Sequence, residues 1–160
     1  MTTSQTNAEN KQGSAPNPGS RRADGDRPDA TVTVHALFRE CAGRHPERIA
    51  LCWPEGDMRY AELDRRSDAL ALRLRELGAG TDQPIALCLP RSPQAVVAVL
   101  AILKAGGCYL PLDPAYPHER LRFAIDDAGA KVLVTDRSGA ATLAGLAARI
   151  RRHRRPLYGA

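Results

Sequence analysis

The stretch LKAGGCYLPLDPAYPHERLRFAIDDAGAKVLVTD, residues 103–136, decides the fold class of this 160-residue chain. It begins with the last residues of a helix, which Gly106 can end by adopting a left-handed conformation. A short apolar run follows at residues 108–110, and Pro117 then begins a second helix. Residues 131–135 have the length and composition of another strand. The stretch therefore predicts a helix end, a strand, a helix and a strand, in that order.

The same alternation continues upstream. Residues 85–89 are continuously apolar, which is typical of a strand buried on both faces of a mainly parallel sheet. Ser92 can cap the next helix and Pro93 can occupy its first turn, where no backbone donor is needed. The helix QAVVAVLAILKA is apolar nearly all round and too short to span a bilayer, so it must pack between other elements. Strands and helices in alternation predict an α/β fold with parallel strands and packed helices.

Three further elements are predicted nearer the N-terminus. Thr33 can cap a helix that runs to about residue 43, with apolar side chains on one face. A hairpin is predicted over residues 49–60, and a second helix over residues 61–77 is followed by Gly78 as its stop. The seam of this second helix consists of Leu63, Ser67, Leu70, Leu74 and Leu77. After residue 136 a helix is predicted over residues 138–148, but a charged run then replaces the expected apolar strand.

The two ends of the chain differ in composition from its body. Residues 1–30 contain no Val, Ile, Leu, Phe, Trp or Tyr, so we expect a disordered N-terminal segment there. Residues 31–148 are expected to form the folded part. Five arginines in residues 149–155 supply the whole net charge of +5, and they place a basic tail at residues 149–160. Such a tail could bind nucleic acid or an acidic partner, but a solvated charge run is the preferred interpretation, and a nucleic-acid partner is not expected.

The sequence lacks the common catalytic and cofactor motifs. Gly78 and Gly80 follow a helix and precede a strand, which is the wrong order for a dinucleotide-binding turn. Lys104 has no Gly-rich loop before it that could surround phosphates, and no GxSxG elbow is present. Asp126 and Asp127 would face different directions on a helix, so they make no catalytic pair. The histidines share no metal-ligand spacing and are His35, His45, His118 and His153.

The cysteines and the apolar runs indicate in which cellular compartment the protein is expected. The cysteines show no paired spacing and are Cys41, Cys52, Cys88 and Cys108. We expect neither disulfides nor metal binding from them, which suits a reducing cytoplasm. Neither a secretory signal nor a run of about twenty apolar residues is present, so no membrane partner is expected.

Two stretches resemble the early core motifs of amino-acid adenylation domains of nonribosomal peptide synthetases, within the AMP-dependent synthetase/ligase superfamily. Residues 58–78, MRYAELDRRSDALALRLRELG, resemble a Tyr-x-Glu-Leu helix start and are called the first motif here. Residues 103–136 resemble a Lys-Ala-Gly helix end followed by Asp-Pro, Tyr-Pro and Arg-Leu, and are the second motif. The matching residues are Tyr60, Glu62, Leu63, Leu103, Lys104, Ala105, Gly106, Tyr109, Pro111, Asp113, Pro114, Tyr116, Pro117, Arg120 and Leu121.

The resemblance implies the incomplete N-terminal part of the large subdomain of the adenylate-forming fold. Domains of this family join an amino acid to ATP, with magnesium, and pass the acyl group to the phosphopantetheine thiol of a carrier protein. The family's phosphate loop, nucleotide and magnesium residues and C-terminal lysine have no counterpart in this sequence. We therefore expect no catalytic, cofactor-binding or metal-binding residue here, and no activity of the chain alone. The implied partners are the remainder of an adenylation domain and a carrier protein.

The residues leave several alternative interpretations of the chain open. Acyl-CoA and aryl-acid ligases share the fold but match the second motif less well. The chain could be a broken gene product with an out-of-frame tail, a small binding module, or one half of a domain whose remainder is encoded separately. Standing alone, it is expected to expose apolar surface and a sheet edge.

The matched residues are interpreted as structural. Lys104 is expected to be a cation at a helix C-terminus, favoured by the helix dipole, and Gly106 its left-handed cap. Asp113 is expected to cap local amides within a fixed turn. Arg59 stands where the family often has Ser or Thr, and the loss of that cap should cost about 1 kcal/mol.

Overall fold

The computed structural model describes residues 32–143 and the backbone of residues 151–152. Within these residues the elements, in chain order, are α1 (Val34–Arg44), β1 (Ile49–Trp53), β2 (Gly56–Arg59), α2 (Tyr60–Glu76), β3 (Pro84–Cys88), α3 (Pro93–Lys104), β4 (Cys108–Pro111), α4 (His118–Ala128), β5 (Val132–Thr135), α5 (Arg137–Thr142) and β6 (Arg151–Arg152). The segment expected to be disordered, residues 1–30, lies outside the described residues.

The strands form two sheets. β1 and β2 make the antiparallel hairpin that the sequence predicted, with Trp53 opposite Gly56. The second sheet has the order β4-β3-β5-β6, and its neighbouring strands run parallel. The chain leaves β3 through α3 to reach β4 on one side, and returns through α4 to place β5 on the other side. The predicted α/β class with parallel strands is confirmed.

Helices cover both faces of the parallel sheet. Ile85 and Leu87 of β3 pack into a core with α2 and α3, whereas Ala86 and Cys88 point into a second core with Leu121 of α4. Successive side chains of a strand point to opposite faces, so a strand buried on both faces is continuously apolar. This explains why residues 85–89 show no alternation of apolar and polar types.

The helix boundaries follow from local chemistry. The hydroxyls of Thr33 and Ser92 accept hydrogen bonds from amides in the first turns of α1 and α3. Arg59 makes no side-chain cap for α2, as the sequence indicated. Gly106 has a φ of 89° after α3, a left-handed conformation that glycine adopts without steric cost. The next amide, of Gly107, then donates to the carbonyl of Ile102 at 3.0 Å and closes the helix end.

Two expectations differ from the structure. The predicted apolar face of α1 is only partly buried, because Val34 and Leu37 are exposed while Phe38 packs against the core. No strand was expected in the basic tail, yet Arg151–Arg152 pairs in parallel with β5. Strand pairing uses backbone groups, so it does not require apolar side chains. The final predicted helix is described as α5 up to Thr142, and residues 144–150 lie outside the described part.

Candidate functional site

The first motif and the start of the second motif meet between α2 and α3. Tyr60, Glu62 and Leu63 occupy the first turn of α2, and Leu63 is buried. Leu103 and Lys104 end α3, and Ala105 and Gly106 follow them. The side chain of Lys104 lies at the centre of the contact between the two motifs.

Lys104 is enclosed by acceptors from α2. Its Nζ donates to Asp64 Oδ1 at 2.6 Å, to Ser67 Oγ at 2.8 Å and to Asp68 Oδ1 at 2.9 Å. A further contact of 3.2 Å joins Nζ to the backbone oxygen of Asp64. The Lys104 side chain is 1% exposed, whereas those of Asp64 and Asp68 are 27% and 46% exposed. These four residues, Lys104, Asp64, Ser67 and Asp68, are called the lysine cluster below.

Neighbouring side chains extend the lysine cluster to a third helix. The ring of Phe38, from α1, lies 5.4 Å from the Lys104 ammonium, within range of a cation–π interaction. Arg39, also from α1, pairs with Asp68 at 3.5 Å. Arg75 of α2 donates to the carbonyl oxygen of Lys104. One buried ammonium thus connects α1, α2 and α3.

This geometry revises the role expected for Lys104. The residue does lie in the last turn of α3, but its charge is balanced by carboxylates of another helix instead of its own C-terminal carbonyls. Sequence reasoning placed Ser67 in the seam of α2 and overlooked Asp64 and Asp68. Their signal was present: the two carboxylates are four residues apart and flank Ser67 on one helical face.

The middle of the second motif forms an exposed turn. Asp113 Oδ1 accepts from the amide of Ala115 at 2.9 Å, which is the local cap that the sequence indicated. The guanidinium of Arg120 lies 4.2 Å from the centre of the Tyr116 ring. The exposed motif residues are Tyr109, Pro111, Asp113, Pro114, Tyr116, Pro117 and Arg120. Leu112, within this turn, and Leu121, after it, are buried and pack in the second core.

Polar groups also gather at the carboxyl ends of β3 and β5. Thr135 Oγ1 donates to the carbonyl of Cys88 at 2.7 Å, and Asp136 Oδ1 accepts from the amide of Gly139 at 2.7 Å. Burial raises the pKa of the Cys88 thiol, and the charges of Asp136 and Asp113 raise that pKa further. Such a thiol stays protonated at neutral pH and suits packing better than nucleophilic chemistry.

Tyr60 has a polar contact of its own. A side-chain hydrogen bond with Cys41 and the charge of that residue raise the pKa of the Tyr60 phenol, desolvation raises it further, and the charge of Arg48 opposes the shift. The Tyr60 ring lies 5.8 Å from that of Phe38. Tyr60 therefore joins α2 to α1 beside the lysine cluster.

The described part of the chain contains neither a metal-binding cluster nor a membrane-spanning helix. Among residues 32–143 and 151–152, no group of three or more His, Cys, Asp or Glu side chains could hold a metal ion. In the same part of the chain, no helix combines the length and apolarity that crossing a membrane requires. The four cysteines are free thiols, and Cys52 and Cys108 are exposed.

Comparison with known proteins gives a consistent family. Residues 38–157 match the family described as AMP-binding enzyme. AMB antimetabolite synthetase AmbB of Pseudomonas aeruginosa is 44% identical over 113 residues, which are 71% of this chain and 9% of that protein. Tyrocidine synthase 2 of Brevibacillus parabrevis is 47% identical over 106 residues, 66% of this chain and 3% of that protein.

A solved structure shares the fold. The nonribosomal peptide synthetase FmoA3, in its form with bound alpha-methyl-L-serine-AMP, superposes with a TM-score of 0.74 at 28% sequence identity. The match covers 79% of this chain and 14% of FmoA3. This chain therefore spans a small share of each relative. These relatives agree with the resemblance of the two motifs to adenylation domains of nonribosomal peptide synthetases, and nothing in the comparisons supports the acyl-CoA or aryl-acid ligases better.

Proposed function

The chain belongs to the AMP-binding enzyme family, and from this membership we propose that it supplies the N-terminal scaffold of an amino-acid-adenylating ligase in nonribosomal peptide synthesis. In this role it binds no substrate itself. It provides the parallel strands and helices on which the substrate-binding parts of a complete adenylation domain are built.

The lysine cluster carries this proposal. Residues that match two separate family motifs come together in it, since Lys104 of the second motif is held by Asp64, Ser67 and Asp68 of the first. A buried ammonium with three acceptors is a packing element, because no donor of the ammonium remains for a ligand. The motif residues therefore act by fixing the scaffold, which is the structural role proposed for all fifteen of them.

The complete ligase is proposed to form an aminoacyl adenylate from an amino acid and ATP, with release of pyrophosphate. Magnesium and cationic donors would stabilise the charge that develops on the phosphates, and a carrier protein's phosphopantetheine thiol would take the acyl group. The described residues do not fit a magnesium ion, because no three His, Cys, Asp or Glu side chains among them lie together in a way that could hold one. We therefore derive no step of the reaction from this chain. Its proposed partners are the remainder of an adenylation domain and a carrier protein.

The extent of the scaffold is part of the same proposal. We place the partial domain at residues 31–148, and the family match reaches residue 157, across the arginines of the tail. No observation favours a separate nucleic-acid-binding module. The free thiols suit a reducing compartment, and a cytoplasmic location is proposed on that ground.

A chimera tests the scaffold role. Residues 34–135 of this chain replace the aligned segment in an adenylation domain of tyrocidine synthase 2, and amino-acid-dependent ATP–pyrophosphate exchange is measured. We expect the chimera to exchange pyrophosphate with the same amino-acid preference as its parent, because the scaffold does not choose the substrate.

Two controls complete the experiment. The 160-residue chain alone should give no exchange above background with any of the proteinogenic amino acids. Exchange by the chain alone would refute the non-catalytic role. A folded chimera without exchange, or with a changed amino-acid preference, would refute the scaffold role.

A further inference from the structure

The helix α3 has few features of its own that fix its position. Apart from Lys104, its buried residues are all aliphatic, and they are Val97, Ala98, Leu100, Ala101 and Ile102. Apolar contact is non-directional, so a helix with small aliphatic residues on several sides can pack against a neighbour in more than one way at similar free energy. Something else must select a single arrangement of α3.

The opposing face of α2 is equally uniform. Its buried residues are Leu63, Leu70, Ala71, Leu74 and Ser67, and Ser67 alone of these is polar. Ser67 Oγ itself donates to the carbonyl of Leu63 at 2.8 Å, so its oxygen is oriented by α2 and remains an acceptor for Lys104. The lysine cluster and the bond from Arg75 to the Lys104 carbonyl are therefore directional contacts in an otherwise apolar interface, and of the two only the lysine cluster is centred on a buried charge.

The geometry of the ammonium allows one arrangement. Sliding α3 by one turn would move Nζ about 5.4 Å from its acceptors. Rotating α3 about its axis would also carry Nζ away from Asp64, Ser67 and Asp68. In either case a charge that is now 1% exposed would lose its acceptors within an interface whose other buried residues are aliphatic, which is strongly unfavourable. The other positions in which α3 could pack against α2 are thereby excluded.

We propose that Lys104 is a register lock: its ammonium selects the single position of α3 on α2, and so makes the first and second motifs one structural unit. The lock acts on the uniqueness of the packing more than on its strength. A buried polar residue plays the corresponding part in coiled coils, where it sets the register at some cost in stability. Here the two rim carboxylates remain partly hydrated, which keeps that cost low.

The substitution Lys104→Met tests the lock in the full 160-residue chain. Methionine retains most of the apolar stem and removes the charge, and Asp64 and Asp68 can regain water because they lie at the rim. Methyl NMR signals of Ile102 and Leu70, and the midpoint of urea unfolding, are measured for both proteins. We expect more than one set of these methyl signals, or their loss through exchange broadening, with a urea midpoint close to that of the unsubstituted chain.

Two outcomes would overturn the register lock. A single sharp set of methyl signals in Lys104→Met, at any urea midpoint, overturns the proposal. If Lys104→Met does not fold, the variant Lys104→Met with Asp64→Asn and Asp68→Asn removes the leftover charges. That variant must fold and show multiple methyl signals, and any other result overturns the proposal too.

Arg75→Met is the matched control. It removes the bond from Arg75 to the Lys104 carbonyl at the same interface and leaves the ammonium in place. It should keep one set of signals. Multiple signals in this control would show that any polar contact at the interface suffices, which would also overturn the lock. Because no enzymatic activity is measured, these outcomes are independent of those of the chimera.

Discussion

The Lys104 ammonium lies 2.8 Å from the hydroxyl of Ser67, a residue that precedes it by 37 positions in the chain. The contact joins the last turn of α3 to the middle of α2 beneath the surface of the protein. It is long-range in sequence and short in space, so it reports directly on whether the two helices have packed correctly.

Asp64 should matter more for stability than Asp68. Asp64 is the nearer acceptor, at 2.6 Å, and its side chain is 27% exposed against 46% for Asp68. Asp64→Asn should lower the free energy of unfolding by about 1–2 kcal/mol, and Asp68→Asn by less than about 1 kcal/mol. Urea unfolding of both variants measures the difference. An equal or reversed order would show that exposure does not govern these charge-assisted bonds.

Providing α2 with a side-chain cap should stabilise the protein. Arg59 makes no cap, so Arg59→Ser should raise the free energy of unfolding by about 1 kcal/mol. The substitution also removes the ion pair of Arg59 with Glu47, but both side chains are mostly exposed and the pair contributes little. Glu47→Gln, which removes only the ion pair, serves as the control. A loss of stability in Arg59→Ser equal to that in Glu47→Gln would contradict the missing-cap explanation.

Two glycines should respond to alanine with opposite signs. Gly106 has a φ of 89°, so Gly106→Ala should lower the free energy of unfolding by about 1–2 kcal/mol. Gly43 lies within α1, and a Cβ added there meets no atom within 4 Å. Gly43→Ala should therefore raise that free energy by about 0.5–1 kcal/mol. Thermal unfolding of the two variants measures both changes in stability. Changes of the same sign would contradict the prediction.

The thiols should differ in reactivity with an alkylating reagent at neutral pH. Cys52 and Cys108 are exposed, whereas Cys88 is buried and its pKa is raised by that burial. We expect Cys88 to react at least about tenfold more slowly in the folded chain and at a similar rate in urea. Mass spectrometry of labelled peptides gives the individual rates. Fast labelling of Cys88 in the folded protein would contradict its burial.

The same thiol predicts a pH dependence of stability. The pKa of Cys88 is higher in the folded state than its unperturbed value of 9.0, so the folded state holds the proton more tightly. This contribution is fully present below the unfolded pKa and is lost as pH rises through the folded pKa. Urea midpoints should therefore fall at alkaline pH. The fall should be smaller in Cys88→Ala, and an identical fall in both proteins would rule out Cys88 as its cause.

Local signals in the sequence were enough to predict most of the fold. Ser92 and Gly106 mark the two ends of α3, and the continuous apolar run at residues 85–89 indicated a strand covered on both faces. The exposure of Leu37 could not be predicted in this way, because an apolar stripe is buried only if a partner covers it. The short strand β6 was missed for a related reason, since its pairing depends on backbone groups and leaves no trace in side-chain type.

The candidate site was harder to predict than the fold. Lys104 was recognised from its motif, but Asp64 and Asp68 stand beside arginines on a helix that has one exposed face. In such a setting carboxylates usually form surface ion pairs, as Glu62 does with Arg66. The spacing of the two aspartates around Ser67 does mark one acidic helical face. It does not say which residue of a neighbouring helix lies against that face, and only the packing of α3 identifies Lys104 as the partner.

The central position of β3 has a consequence for the protein as it emerges from the ribosome. Its neighbour β5 supplies Thr135, which bonds to Cys88 across 47 residues of chain. At translation rates of about 5–20 residues per second, β3 waits roughly 2–9 s for this partner strand. During that interval its apolar residues are accessible to chaperones and to other nascent chains. The growing polypeptide thus exposes an unpaired apolar strand, which is an aggregation hazard, between the synthesis of the third strand and that of the fifth.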